Sequence, residues 1–232
     1  MNKQRGSRLS QRDHAVIQQA DALRITTLEI LRQSLLKGLT RSGVSKIVNR
    51  LCRSGYLQSY TLIHPGRYFV LGDAGATLLG RSGHRVLPLG PQALPTEYAA
   101  AVHCALGKSA RRRMTKDELR QRFPWLPKRL VETPVGLDLK TNVIELLRVD
   151  LGGPAHHVAR KCRKDIRTRT EIPEFAELVR KGGLKLVIIT GTQEKADAIR
   201  AAVRRHRWPE GLKFHCTIVP ELLQLTARKP HA

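Results

Sequence analysis

The pattern of apolar positions divides the chain into a helical N-terminal part and a strand-rich C-terminal part. Before residue 55, apolar residues recur at helical spacing in three consecutive segments. Two short apolar runs follow, joined by the sequence HPGR, in which Pro65 and Gly66 fit a type II turn. The sequence DAGATLLG then predicts a short closing helix. Three helices followed by a hairpin predict a winged helix-turn-helix domain over residues 1–82.

The third segment, TRSGVSKIVNRLCRSGYL, predicts the helix that would enter the major groove of DNA. The face opposite its apolar positions contains no acid, whereas an ordinary solvated face mixes both signs of charge. This face comprises Ser42, Ser45, Lys46, Asn49, Arg50 and Arg53. We expect Lys46, Asn49 and Arg53 to contact base edges, because Lys and Arg pair with guanine and Asn pairs with adenine. The alternative is a winged helix that contacts another protein.

Further residues of the same region are candidates for phosphate contacts. Thr40, Arg41 and Ser42 lie at the start of the third helix, and His64 and Arg67 lie on the predicted hairpin. Helix starts and hairpin tips commonly fix a protein on the DNA backbone. Phosphate contacts of this kind position the protein on DNA without reading the base sequence.

Residues 83–130 predict a linker and a helical segment. The stretch RSGHRVLPLGPQALP contains three prolines and two glycines, which favour a linker or an extended crossing. The sequence TEYAAAVHCALG predicts a helix, and TKDELRQRF begins with a capping box. Between them KSARRR predicts a basic loop. Its arginines, Arg111, Arg112 and Arg113, either grip phosphate or form an ordinary solvated loop, and the sequence leaves both open.

Residues 131–232 predict an α/β domain with a mixed sheet. The sequence VGLDLKTNVIELLRVDLG predicts two strands around the turn KTN, and HHVARKCRKDIRTR predicts a long basic helix. The remaining pattern is helix, strand, helix, strand, helix, so the overall fold class is α+β. In the basic helix Val158, Cys162 and Ile166 form the predicted buried stripe. Outward-facing phosphate contacts are predicted for Arg160, Lys161, Arg163, Lys164 and Arg167. Arg169 falls on the side of the stripe and is a contact only if the helix ends before it.

The charge of the chain strengthens the prediction of a nucleic-acid partner. Lys and Arg number 42 against 19 Asp and Glu, a formal net charge of +23. Residues 1–82 contain 13 basic and 4 acidic side chains, so the excess extends through both parts of the chain. Such a protein suits a polyanion such as double-stranded DNA. The alternative is a soluble protein that is basic for another reason.

Metal sites and membrane segments are not indicated by the sequence. The four cysteines, Cys52, Cys104, Cys162 and Cys216, form no CxxC pair, so a zinc ribbon is not expected. The polar N-terminus does not resemble a signal peptide, and apolar runs fall short of a membrane span of about 20 residues. We therefore expect a cytoplasmic protein without a bound cofactor.

Several stretches together resemble the replication-relaxation family of plasmid and integrative-element proteins. They are RYFVLGDAGATLLG, MTKDELRQRFPWL and the half running from RVDLGG through RKCRKDIRTRT to LKLVIITGTQEKADAI. The resemblance implies a DNA-binding winged helix joined to a domain similar to the restriction-endonuclease, or PD-(D/E)xK, fold. It also implies work on the DNA of mobile elements.

A nuclease of that kind needs acids that hold Mg²⁺ and a lysine that activates water. Asp138 and Asp150 are the candidate acids, but Gly152 stands where a lysine is wanted two residues after Asp150. Lys161 or Lys164 would have to supply the amine from the helix. Glu145 cannot easily join Asp150, because strand positions five apart point to opposite faces. Arg148 would compete with a metal, and Asp150 is more simply a strand-end acid that caps or pairs with the basic helix. The sequence therefore favours a degenerate nuclease-like domain.

The expected function is double-stranded-DNA binding without catalysis. The protein would be an accessory factor in replication or conjugative transfer, or a transcription regulator, of a plasmid or integrative element. One alternative is a Mg²⁺-dependent DNA nickase that uses Asp138, Asp150 and a lysine at 161 or 164. Another is a scaffold that docks a relaxase or replication initiator. The C-terminal domain would add backbone contacts, dimerisation or both, so the sequence leaves a homodimer open.

Overall fold

The computed structural model describes residues 9–81, 83, 86–107 and 109–227 and has the mixed α+β fold class predicted. The chain forms two compact units, residues 1–88 and residues 89–232. They are called the N-terminal unit and the C-terminal unit below. Each unit has its own hydrophobic core.

The N-terminal unit contains three helices, a hairpin and a short helix, in the predicted order. These elements are α1 (Gln11–Leu23), α2 (Leu28–Ser34), α3 (Arg41–Arg53), β1 (Leu57–Thr61), β2 (Arg67–Leu71) and α4 (Asp73–Leu78). Ser10, Thr27 and Thr40 start the first three helices, and each side chain accepts a hydrogen bond from a backbone N–H of the first turn. Hydroxyl caps of this kind satisfy donors that a helix start leaves free. The apolar stripe of α3 packs inward through Val44 and Val48, which leaves the opposite face in solvent.

The turn of the hairpin differs from the one predicted. The His64–Pro65 peptide bond is cis, and the N–H of Gly66 donates to the carbonyl of Ile63. Pro65 is therefore the third residue of the turn, whereas a type II turn would place it second. The prediction of a type II turn was wrong, since the sequence gives no sign of the proline isomer.

The C-terminal unit is a five-stranded mixed sheet with helices on its faces. Its helices are α5 (Ala93–Leu106), α6 (Lys116–Arg122), α7 (Ala155–Thr170), α8 (Pro173–Arg180), α9 (Gln193–Arg204) and α10 (Leu222–Thr226). Its strands are β3 (Arg111–Arg113), β4 (Val135–Asp138), β5 (Ile144–Val149), β6 (Leu184–Thr190) and β7 (Lys213–Ile218), in that spatial order. The first three strands run antiparallel, and the last three run parallel.

The two faces of this sheet are covered differently. Leu146, Leu186 and Ile188 meet Ile166 of α7 and Ile199 of α9 in one apolar core. Helix α5 packs against the opposite face, where β5 and its neighbours contribute charged as well as apolar side chains. The period-2 alternation of each strand separates these two sets.

The middle segment belongs to the C-terminal unit. Residues 111–113, predicted as a loop, form the edge strand β3, whose partner is β4. Helix α5 begins at Ala93 and packs on the sheet, so residues 93–130 are part of its architecture and do not connect two separate domains. Three consecutive arginines carry no apolar alternation, and for that reason the pattern gave no sign of a strand.

Candidate nucleic-acid interface

The exposed face of α3 is the first of two cationic surfaces. Lys46, Asn49 and Arg53 are exposed, and so are Thr40, Arg41 and Ser42 at the start of the helix, while Ser45 is half-buried. The amide of Asn49 donates to Ser45 Oγ over 3.3 Å, and neither Lys46 nor Arg53 forms an ion pair with a described residue. The predicted base-contact residues therefore share one solvent-facing side of one helix, and we call them the α3 face.

Arg50 differs from its neighbours on that helix. Its Nη2 lies 2.5 Å from Oδ1 of Asp13, a carboxylate that is only 1% exposed. Burial would raise the pKa of Asp13, but hydrogen bonds from Arg50 and Ser10 hold it below its usual value. The guanidinium thus ties α3 to α1 and is committed to a buried acid. Sequence spacing alone placed Arg50 with the free cations, because its partner lies 37 residues earlier.

The hairpin residues His64 and Arg67 are both exposed, as a DNA contact would require. Arg67 Nη1 donates to Ser59 Oγ across the hairpin over 3.3 Å. The neighbouring strand therefore orients this guanidinium. His64 precedes the cis peptide bond at the tip.

The outward side of α7 is the second cationic surface. Its five members are exposed, as predicted, and none forms an ion pair with a described residue. They are Arg160, Lys161, Arg163, Lys164 and Arg167. We call this set the α7 face. The only acid of the helix, Asp165, is turned to the sheet side, where Arg148 Nη2 lies 2.5 Å away and Arg169 Nε 3.0 Å away.

Arg169 is not a DNA contact, which corrects one of the predicted sites. It is 2% exposed, its Nη1 donates to the carbonyl of Leu130 and its Nη2 donates to Thr133 Oγ1. The buried stripe of α7 runs through Ala159, Cys162 and Ile166, and Val158 is only half-buried. Because α7 continues to Thr170, Arg169 is the next member of that stripe.

The three arginines of β3 are also committed to acids, so the prediction of a phosphate-gripping loop is corrected. Arg111 Nε lies 2.8 Å from Glu145 Oε2, and Arg113 pairs with Glu97 of α5. Arg112, on the other side of the strand, lies 2.5 Å from Glu118 and stays partly exposed. Alternation along a strand separates Arg112 from its two neighbours.

A buried ion cluster, which the sequence did not reveal, surrounds Glu145 under α5. Its Oε2 accepts from His103 Nε2 and from Arg111 Nε, each over 2.8 Å, and its Oε1 accepts from Lys185 Nζ over 3.0 Å. His103 Nδ1 lies 3.0 Å from Thr217 Oγ1. Burial alone would raise the pKa of Glu145, yet these donors lower it to about 2. The cluster fastens α5 and the edge strand to the sheet.

One signal of the cluster was present in the sequence. Glu145 interrupts an apolar strand, and a charge in such a position requires partners. The partners were hidden because they lie 42, 34 and 40 residues away, on α5, β3 and β6. His215 stands near the same charges, and burial and those cations lower its pKa.

Asp138 and Asp150 cannot serve one metal ion, which corrects the proposed nuclease pair. Asp138 is hydrogen-bonded beside Val143, just before β5, whereas Asp150 follows the end of that strand. Seven residues of strand separate them by about 20 Å, on opposite faces of the sheet. The same alternation separates Glu145 from Asp150, as predicted. Among the described residues, no group of three His, Cys, Asp or Glu side chains could hold a metal.

Each of the two acids has a local structural role. Asp138 Oδ1 accepts from the N–H groups of Lys140 and Thr141, which closes the turn between β4 and β5. Burial would raise the pKa of Asp138, but these two N–H groups lower it. Asp150 Oδ1 accepts from the N–H of Gly152. On the α7 side of the sheet, Lys161 and Lys164 share a cleft with Asp150 and Asp165, and Arg148 and Arg169 both pair with Asp165.

Comparisons with protein-family models, with curated proteins and with solved structures find no match to this chain. The resemblance to the replication-relaxation family therefore stays a prediction. No helix in the described part of the chain is both long and apolar enough to cross a membrane.

Proposed function

We propose that the protein binds double-stranded DNA without catalysing a reaction on it. The observation that carries this proposal is the pair of cationic surfaces, the α3 face and the α7 face, whose Lys and Arg side chains have no acidic partner among the described residues. Elsewhere most buried or half-buried cations are matched by acids. Unmatched cations on a helix surface attract a polyanion and release its counterions on binding.

The N-terminal unit is proposed to be a winged helix-turn-helix domain that supplies sequence preference. Its order of α1, α2, α3 and the β1–β2 hairpin supports this, together with the solvent-facing side of α3. In such a domain Lys46, Asn49 and Arg53 read base edges, and Thr40, Arg41, Ser42, His64 and Arg67 contact phosphates. Ser45 orients Asn49.

The C-terminal unit is proposed to be a degenerate restriction-endonuclease-like frame that adds backbone contacts. Helix α5, the antiparallel strands β3, β4 and β5 with α6 between the first two, helices α7 and α8, and the parallel strand β6 support that assignment. The wide separation of Asp138 and Asp150 favours a frame that holds DNA over one that cuts it. As the resemblance implies, the DNA would belong to a plasmid or integrative element. The protein would assist its replication or transfer, or regulate its transcription, alone or with a relaxase or initiator.

A charge-matched pair of variants tests the binding proposal. One variant changes Lys161, Arg163 and Lys164 of the α7 face to Gln. The other changes Arg120, Arg180 and Lys181, which lie in the same unit but pair with Asp117 or Glu177. Both lose the same formal charge. Fluorescence anisotropy on a labelled duplex, over a range of salt, measures the affinity of each.

Affinity falls as salt rises, so the slope of log affinity against log salt is negative. We expect the α7 variant to make this slope shallower by about 3, roughly one for each lost phosphate contact. The paired-cation variant should keep a slope close to that of the unaltered protein. Equal losses in both variants would mean that net charge alone matters. Absence of duplex binding by the unaltered protein at low salt would overturn the proposal.

A further inference from the structure

A cleft of about 460 Å³ opens beside the α7 face, between this helix and the end of β5. Pockets for small organic ligands measure about 300–1,000 Å³, so its size suits one such molecule. The strand side contributes Val149, Asp150 and Leu151, and the helix side contributes Lys161 and Lys164 among others. The function proposed above leaves this cleft without a role.

One side of the cleft is cationic, and its wall is apolar. Lys161 and Lys164 are exposed, lie three residues apart on α7 and have no ion pair with a described residue. Such neighbours on a helix can reach one anionic group together. Val158 and Leu151 line the apolar part, and Leu151 leaves 42% of its surface in solvent. The cleft therefore suits a ligand with an anionic end and an apolar body.

The two acids of the cleft are held in place by neighbouring donors. Asp165 accepts from Arg148 and Arg169, and Asp150 accepts from the N–H of Gly152 and from Thr190 Oγ1 over 3.2 Å. Lys195 Nζ lies 3.8 Å from Asp150. A carboxylate has about four acceptor positions, so each acid can also accept from a ligand N–H.

We propose that the cleft binds one nucleotide. The phosphate lies at Lys161 and Lys164, and the base lies along the apolar wall with its N–H groups toward the two carboxylates. Inorganic phosphate would leave the wall uncovered, and an acyl chain would offer no N–H group to the remaining acceptor positions of Asp150 and Asp165. The nucleotide is either a free monophosphate or an unpaired nucleotide of a strand lying on the α7 face. The second source rests on the proposed DNA binding, and the first does not.

Free nucleotides test the cleft without DNA. Equilibrium dialysis compares the four deoxynucleoside monophosphates with deoxyribose 5-phosphate, which has the phosphate but no base. At least one monophosphate should bind about tenfold more tightly than the sugar phosphate, as expected from one or two buried hydrogen bonds and apolar contact. Equal binding of all five probes would overturn a role for the base.

Oligonucleotides test the second source. A duplex with one bulged nucleotide is compared with a perfect duplex and with a duplex whose bulge is abasic. The intact bulge should bind about tenfold more tightly than either of the other two. If the perfect duplex binds but no preference for the bulge and no free nucleotide binding is found, the cleft proposal fails and the DNA-binding proposal stands. If monophosphates bind but no duplex does, the cleft proposal stands and the DNA-binding proposal fails.

Two pairs of variants locate the effect in the cleft. Leu151→Glu removes the apolar wall, and Leu139→Glu makes the same change at an exposed leucine of the β4–β5 turn. Lys164→Gln removes a cation of the cleft, and Arg163→Gln removes its neighbour, which does not line it. All four positions are exposed, and circular dichroism checks folding. Leu151→Glu and Lys164→Gln should abolish the preference for a nucleotide or for the intact bulge, while their two controls retain it. The proposal would be overturned if neither cleft variant lost this preference, or if the controls lost it equally.

Discussion

The C-terminal unit has two groups of cationic side chains, one under α5 and one on the outer side of α7. The first group is largely buried and paired with an acid, whereas the second is exposed and unpaired among the described residues. Under α5, Arg111, His103 and Lys185 converge on one buried carboxylate, Glu145. On the outer side of α7, five Lys and Arg side chains remain in solvent without an acid among the described residues. Net charge does not distinguish these groups. If the protein binds DNA as proposed, we expect the contacts to come from cations that have no internal partner.

The largest effect is expected where a buried charge loses its counterpart. Glu145→Gln leaves the largely buried cations Arg111 and Lys185, together with His103, around a neutral side chain and should lower the free energy of unfolding by about 3–5 kcal/mol. Urea denaturation measures this loss. Glu132→Gln, which breaks an exposed pair with Lys116, is the control and should cost less than about 1 kcal/mol. Similar losses of unfolding free energy at both positions would contradict the contrast between buried and exposed charges.

Acid should weaken the same cluster. The pKa of Glu145 lies at about 2 in the folded protein, below its ordinary value of 4.5, so its stabilising contribution is complete above that ordinary value. The contribution disappears as pH falls toward the folded pKa. Between about pH 6 and about pH 3 we expect a loss of about 2 kcal/mol from this group. The difference between the unaltered protein and Glu145→Gln in urea unfolding should shrink by that amount; a difference independent of pH would contradict the assignment.

Two arginines on one helix sharpen the contrast further. Arg169→Gln should lower the free energy of unfolding by about 1.5 kcal/mol, because it leaves the buried Leu130 carbonyl without its donor and removes one of the two arginines that pair with Asp165. Its duplex affinity should be unchanged. Arg167→Gln, two residues earlier and exposed, should leave stability unchanged and weaken duplex binding. Thermal unfolding measures the stability of each variant, and fluorescence anisotropy measures its affinity for the duplex. A loss of affinity in Arg169→Gln with a loss of stability in Arg167→Gln would contradict the prediction that Arg167 faces outward and Arg169 inward.

The smallest expected effect concerns sequence preference. Asn49→Ala on the α3 face should narrow the affinity difference between preferred and random duplexes by about 1 kcal/mol, since Asn reads adenine through two hydrogen bonds. Lys164→Ala should instead weaken binding to both duplexes alike. Competition binding against a pool of random duplexes measures each. A uniform loss in Asn49→Ala would place this residue among the backbone contacts.

Local patterns predicted the elements other than β3 and the exposed cations of α3 and α7, whereas partners distant in sequence were not predicted. The apolar stripe of α7 placed Arg160, Lys161 and Lys164 outward without any knowledge of the sheet, because helical periodicity is a local property. Arg50 looks identical to a free arginine in the sequence, and only the folded chain brings Asp13 to it. Helical periodicity placed Arg169 on the side of the buried stripe, but its partner, the Leu130 carbonyl, lies 39 residues earlier and was not predicted. Glu145 was visible as an acid in an apolar strand, but the choice of its cations required the strand order.

The edge strand β3 has a further consequence, for association between copies of the chain. A sheet edge offers unpaired N–H and C=O groups on which a second strand can add. This edge is three residues long and consists of Arg111, Arg112 and Arg113. So short a strand offers few hydrogen bonds, and two such edges would bring six guanidinium groups together. Any dimer of this protein is therefore expected to form through another surface, and the sheet is expected to end at β3.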